Sequence, residues 1–135
     1  MGYSLQQAAL IEQFSAFKSW EDRYRHIFRL GKSLPSIDDV LKVDQVLLAG
    51  CESQVWFYAT LDGDSLDLTI GSDAKIVKGL IAIIVSAYQG LSLKQIAQFD
   101  CEQFFVELRL LNHLSPSRGN GIRAIISAIQ QAATS

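Results

Sequence analysis

The chain has no apolar run long enough to cross a bilayer. Its strongest, GLIAIIVSAY at residues 79–88, falls far short of the roughly 20 residues a spanning helix needs, so it is expected to be a buried core helix. The opening MGYSLQQAAL has neither the positive n-region nor the apolar h-region of a signal peptide. Residue 6 is Gln, where N-myristoylation needs Ser or Thr. Blocks of basic residues are missing too: the net charge is -2, with Lys and Arg spread along the chain, so nucleic acid is not an expected partner. Only two cysteines occur, Cys51 and Cys101. Their spacing matches neither C-x-x-C nor a zinc pattern, so neither a metal nor a disulfide between them is expected. A Gly-rich phosphate loop, a Ser-His-Asp arrangement and a paired-carboxylate signature are also lacking. These absences predict a soluble, cytoplasmic protein without a membrane or metal role.

What is present fits one folded domain over residues 1–135. Apolar residues make up 49%, near the globular average, which excludes disorder. Helical signals come first. Ser4-Leu5-Gln6-Gln7 fits a capping box, followed by Leu10, Phe14 and Phe17 at helical spacing. Ser19-Trp20-Glu21-Asp22 opens a second helix in the same way, with Trp20, Tyr24 and Ile27 on one face. Gly31 is expected to end it, ahead of Leu34-Pro35 and a polar loop over 35–45.

The period then changes. Val46–Leu48 reads as a short strand. Val55, Phe57, Ala59 and Leu61 alternate with Trp56, Tyr58 and Thr60, and Asp62-Gly63 is a hairpin signal before a return strand through Leu66, Leu68 and Ile70. The outgoing strand is apolar on both faces, so helices are expected to cover much of the sheet. Ser72-Asp73 opens a central helix that Gly90 ends, with Asp73 read as a helix N-terminal carboxylate. Short helices capped by Ser92 and Asp100 follow. Ser115-Pro116 then starts a last helix bearing Ile122, Ile125, Ile126 and Ile129 on one face. The expected class is α+β, a small antiparallel hairpin packed against several helices.

The candidate chemistry centres on Cys51, in AGCESQVWF at residues 49–57. The thiol stands between Gly50, which permits a sharp turn, and a strand that would hold it on a rigid base. A thiolate needs positive charge or hydrogen-bond donors nearby, and Glu52 works against that, so a helper must come from elsewhere in the fold or from another protein. His26, His113 and Arg118 are candidates. Arg118 lies in a helix first turn, where a cation opposes the dipole. A Cys51–His113 hydrolase remains a weak alternative, lacking an orienting Asn or Asp. His26 reads as a solvated helix residue, Cys101 as a partly buried one without a role, and Trp20 and Trp56 as core.

Five motifs occur in order: Trp20-x-x-Arg-Tyr24, Leu30-Gly-Lys-x-Leu-Pro35, Gly50-Cys-Glu-Ser-Gln-Val-Trp56, Ser72-Asp-Ala-x-Ile-Val-Lys-Gly-Leu80 and His113-Leu-Ser-Pro-Ser-Arg118-x-x-Gly121. Together they resemble the SufE/CsdE family of sulfur-acceptor proteins, over roughly residues 10 to 132. The resemblance implies an IscU-like α+β fold and a carrier role. Cys51 would take sulfur from the persulfide of a PLP-dependent cysteine desulfurase, stimulate that enzyme, and pass sulfur to an iron–sulfur scaffold or another acceptor. PLP would belong to the partner, and the chain itself would hold no cofactor. Gly50, Glu52, Ser53, Gln54, Asp73, His113 and Arg118 are the expected binding or loop-supporting residues around Cys51, with an apolar lining from Val55, Phe57 and the central helix. Non-covalent activation of a desulfurase is the second reading. Monomer and homodimer both remain open. The sequence departs from many family members in two places: Glu52 stands where they have Gln, and Gly71-Ser72-Asp73 is one residue shorter than their Gly-Asp-Ser-Asp.

Overall fold

The computed structural model describes residues 3–48 and 53–134. Among the described residues, six α-helices pack with one two-stranded antiparallel sheet. The helices are α1 (Leu5–Ser15), α2 (Trp20–Ser33), α3 (Lys75–Tyr88), α4 (Leu93–Gln98), α5 (Cys101–Glu107) and α6 (Pro116–Thr134). Strand β1 (Val55–Asp62) pairs with β2 (Ser65–Ser72), from Val55 opposite Ser72 to Asp62 opposite Ser65. The expected α+β class, a small hairpin against helices, is what forms. No described helix is long and apolar enough to cross a membrane.

Local chemistry places most helix starts. Ser4 and Gln7 form the reciprocal capping box, and Ser92 and Gln95 repeat it before α4. Ser19 accepts from the Asp22 amide, but Asp22 does not return the bond, since the box needs the longer Glu or Gln side chain at that place. Asp100 accepts from the Gln103 amide before α5. Ser115 Oγ accepts from the Arg118 amide at 3.4 Å, with Pro116 at the first helical position of α6.

Five expectations change. Gly31 lies inside α2, which runs on to Ser33. The two-residue turn is Gly63-Asp64, one place later than expected, with Gly63 at φ 60°. A two-residue loop with Gly first matches the right-handed twist of the flanking strands. Helix α3 starts at Lys75 behind Ala74, with no side-chain cap; Ser72 is the last residue of β2, and Asp73 stands exposed before the helix. Residues 46–48 make no strand: Asp44–Val46 is a 3-10 turn, and a single bridge joins Leu47 to Trp56. His26 is half-buried rather than solvated, its ring 5.2 Å from both Phe14 and Phe17 and its Nε2 3.0 Å from Gln13 Oε1.

Helix α3 is central, as its all-round apolar sequence implies. Phe14, Ile27, Ile81, Ile83, Ile84, Phe104, Phe105 and Ile129 are wholly buried around it. The sheet is buried most deeply at its base, where Val55 and Ile70 join this core, whereas Leu61 near the tip is 62% exposed. Phe57, Leu66 and Leu68 also pack against the core, and the Leu93 amide at the start of α4 donates to the Asp64 carbonyl in the turn at 2.8 Å, so helices cover one face of the hairpin. The face bearing Trp56 is closed not by a helix but by the segment before the sheet. Tyr58 donates to the Leu41 carbonyl at 2.6 Å, Lys42 Nζ lies 5.4 Å over the Trp56 ring, and Ile37 sits on Gly71.

Candidate functional site at the base of the sheet

Strand β1 begins where the core meets the surface. Val55 is 2% exposed, and its carbonyl accepts from the Leu48 amide at 3.0 Å. The chain therefore leaves the sheet edge at Leu48 and returns at Val55, with both ends tied together. Gly50, Cys51 and Glu52, which lie between Leu48 and Val55 in sequence, are outside the described residues. Covalent geometry alone keeps the Cα of Cys51 within about 7 Å of that of Ser53.

Ser53 is half-buried and lines a cavity of about 430 Å³. The cavity lies between the start of β1, the side of α3 and the first turns of α6. Its apolar wall is Val55 from β1, Val77 and Leu80 from α3, and Ile122 and Ile125 from α6. Ser53, Ser115, Ser117 and Arg118 supply the polar lining. Among the described lining residues Arg118 alone carries a charge. No described carboxylate lies within ion-pair distance of it.

The remaining expected site residues divide. Gln54 is exposed and does not line the cavity. Asp73 is exposed at the β2–α3 corner. His113 stacks on Trp20, with ring centroids 5.0 Å apart and planes 19° from parallel, and no described histidine lines the cavity. Trp20 is half-buried beside it rather than in the core. Phe57 packs toward the core without reaching the cavity. Val55 and the central helix contribute as expected, and the rest of the apolar lining comes from α6, whose Ile122 and Ile125 were legible in the sequence only as core positions. Their spacing says that they face inward, not that a void remains beside them. Among the described residues no cluster of metal-ligating side chains occurs.

Cys101 has a different environment. It is 1% exposed, and burial pushes its thiol up to about 12 despite an opposing hydrogen bond with Tyr88. A thiol this protonated is not a nucleophile. It is wholly buried, not partly as expected, and its environment is that of an inert core residue.

Comparison with known proteins agrees with the ordered motifs. A solution structure of a hypothetical protein from Thermus thermophilus shares the fold, with a TM-score of 0.79 at 16% identity, covering 98% of this chain and 96% of that one. An uncharacterized SufE-like protein of Rhizobium meliloti (strain 1021) is 38% identical over 128 residues, 92% of this chain and 91% of its own. The SufE family model, described as an Fe-S metabolism associated domain, matches residues 8–133. The chain belongs to the SufE family.

Proposed function

We propose that this chain is a sulfur carrier for iron–sulfur cluster assembly, with Cys51 as the acceptor. A PLP-dependent cysteine desulfurase supplies the sulfur from its own cysteine persulfide. The Cys51 thiolate attacks the outer sulfur of that persulfide. The donor's S–S bond breaks, a new one forms on Cys51, and the donor cysteine leaves as thiolate. One S–S bond replaces another, so no external oxidant or reductant enters. The carrier then surrenders the outer sulfur to a scaffold or another acceptor by the same exchange. Removing the persulfide frees the donor for its next cycle, so the carrier also stimulates the enzyme. PLP chemistry stays on the donor, and the chain works in the cytoplasm without a cofactor of its own.

The observation that carries this reading is the half-apolar cavity beginning at Ser53, two residues from Cys51, within a chain of this family. Sulfur transfer needs a nucleophile, a place for the terminal sulfur and a partner surface. It does not need a general acid–base pair, which accords with a cavity lined by no described histidine or carboxylate. The apolar wall shelters a persulfide from reductants and oxidants. Arg118 and the N-terminal turn of α6 offer positive potential at the cavity, which favours a thiolate there.

The test is mass spectrometry after incubation with a cysteine desulfurase and cysteine. The expected result is about 32 Da, one sulfur atom, added at Cys51 and absent from Cys51→Ala. Stimulation of turnover should vanish with the same substitution. Full stimulation by Cys51→Ala, with no added mass on the wild type, would establish a non-covalent activator instead.

A further inference from the structure

A second cavity, of about 400 Å³, opens on the Trp56 face of the sheet and is lined by Lys32, Lys42, Lys75 and Lys78. These are four of the six lysines in the chain. No described acidic residue lines it. The clustering runs against the chain's overall charge of -2. Lys42 is partly committed, with Asp39 at 3.2 Å and the Trp56 ring beneath it. Lys32, Lys75 and Lys78 have no carboxylate within ion-pair distance among the described residues. Lys75 and Lys78 stand one helical turn apart in the first turns of α3, which has no acidic residue in its first turn. Cations there oppose the helix dipole, so fold stability does not account for them.

The groove adjoins the candidate site. Ser72 lines it and pairs with Val55, which lines the first cavity. Helix α3 contributes Lys75 and Lys78 to the groove and Val77 and Leu80 to the first cavity. The first cavity and the groove thus share the Val55–Ser72 end of the sheet and the first turns of α3.

We propose that the lysine groove is an electrostatic docking surface for a carboxylate-rich segment of the sulfur-donor enzyme. This rests on the sulfur-carrier reading above. Lysines around a broad opening, three of them exposed and Lys78 half-buried, suit several protein carboxylates, and complementary charge of this kind mainly raises the rate and specificity of encounter.

The experiment measures the affinity of the full chain for the cysteine desulfurase whose turnover it stimulates, at about 50 and 300 mM salt. The Lys75→Glu/Lys78→Glu variant should bind about tenfold or more weakly at low salt, with a flattened salt dependence. Its melting temperature should equal or exceed that of the wild type, because the new carboxylates favour the N-terminus of α3. Lys18→Glu/Lys94→Glu, with the same net charge change elsewhere, should bind within about twofold of the wild type. Equal weakening by both variants, or unchanged binding by the first, overturns the docking surface. So does a melting shift with inorganic phosphate that Lys75→Glu/Lys78→Glu abolishes while its desulfurase affinity stays intact, since the groove would then hold a small anion. In each of these outcomes Cys51 still gains sulfur. Loss of that gain in the wild type instead defeats the carrier reading itself.

Discussion

Gly31 on α2 and Gly79 on α3 meet backbone to backbone. A Cβ on Gly31 would stand 2.8 Å from the Gly79 nitrogen, and one on Gly79 would stand 2.1 Å from the Ile27 carbonyl oxygen. The two helices approach this closely because neither carries a side chain at the crossing. The contact fixes Lys32 beside Lys75 and sets the position of α3, whose other side walls the cavity near Ser53.

Gly79→Ala is therefore expected to destabilise the fold. The obstructing atoms are backbone and cannot swing aside, so the overpacking cost of about 1–3 kcal/mol exceeds the roughly 1 kcal/mol that Ala gains in helix propensity. Gly31→Ala, with a longer contact, should cost less. Gly119→Ala in α6 is the control: its Cβ would meet only the tip of Arg123 at 3.4 Å, so it should be neutral or slightly stabilising. Thermal melting of the three variants checks the order, and Gly79→Ala melting as high as wild type would refute the close crossing.

The cavity wall yields a second prediction. Ile125 is 2% exposed and lines the cavity. Ile125→Ala should cost about 2–5 kcal/mol by enlarging an existing void. It should also shorten the lifetime of a Cys51 persulfide in the presence of dithiothreitol, followed by mass spectrometry over time. Arg118→Gln should leave stability within about 0.5 kcal/mol, as an exposed substitution does, but slow sulfur uptake. Uptake at the wild-type rate would remove Arg118 from the site.

The two cysteines should behave oppositely toward thiol reagents. With a pKa near 12, Cys101 is ionised to about one part in 10⁵ at pH 7. Titration with a disulfide reagent should find one reactive thiol in the folded protein and two in denaturant, with Cys51→Ala leaving none in the folded state.

Burial of Cys101 also sets an alkaline limit. Its folded pKa lies above the ordinary value of 9.0, and burial raises that of Tyr88 as well. The folded state thus holds protons that the unfolded state releases. This contribution to stability is complete below pH 9 and is lost as pH rises toward 12. Denaturant midpoints should fall over that window, and less steeply in Cys101→Ala.

His26 acts at the other end of the scale. Partial burial, and secondarily Arg29, hold its pKa below 6.5. The unfolded state then binds the proton more tightly, so this contribution is complete above pH 6.5 and is lost as pH falls through the folded value. NMR titration of the imidazole should give a midpoint below 6.5, and Arg29→Gln should move it upward.

How much of this was legible in the chain depended on the range of the forces involved. Serine and aspartate caps at 4, 19, 92, 100 and 115 are local hydrogen bonds, and each stands where the residues predict. The apolar faces of α3 and α6 follow from helical periodicity. Gly31 misled because a glycine near Leu-Pro normally marks a helix end, and only the opposing Gly79, far along the chain, makes it a crossing point. The β-turn slipped by one residue because Asp62-Gly63 and Gly63-Asp64 are both acceptable hairpin turns, and the pairing of the whole ladder selects between them. Phe57 misled for a related reason: alternation identifies the face of a strand but not which neighbour fills the space above it.

By itself the sequence determined the family, the α+β class, the helix boundaries set by caps, and the cysteine on which the proposed chemistry rests. All of these depend on residue identity and short spacing. Only the tertiary structure decided that Val55, Val77, Leu80, Ile122 and Ile125 leave a void beside Ser53, and that lysines 32, 42, 75 and 78 share one groove. Such assemblies arise from packing between distant segments, and no local pattern of side chains encodes the gap that packing leaves.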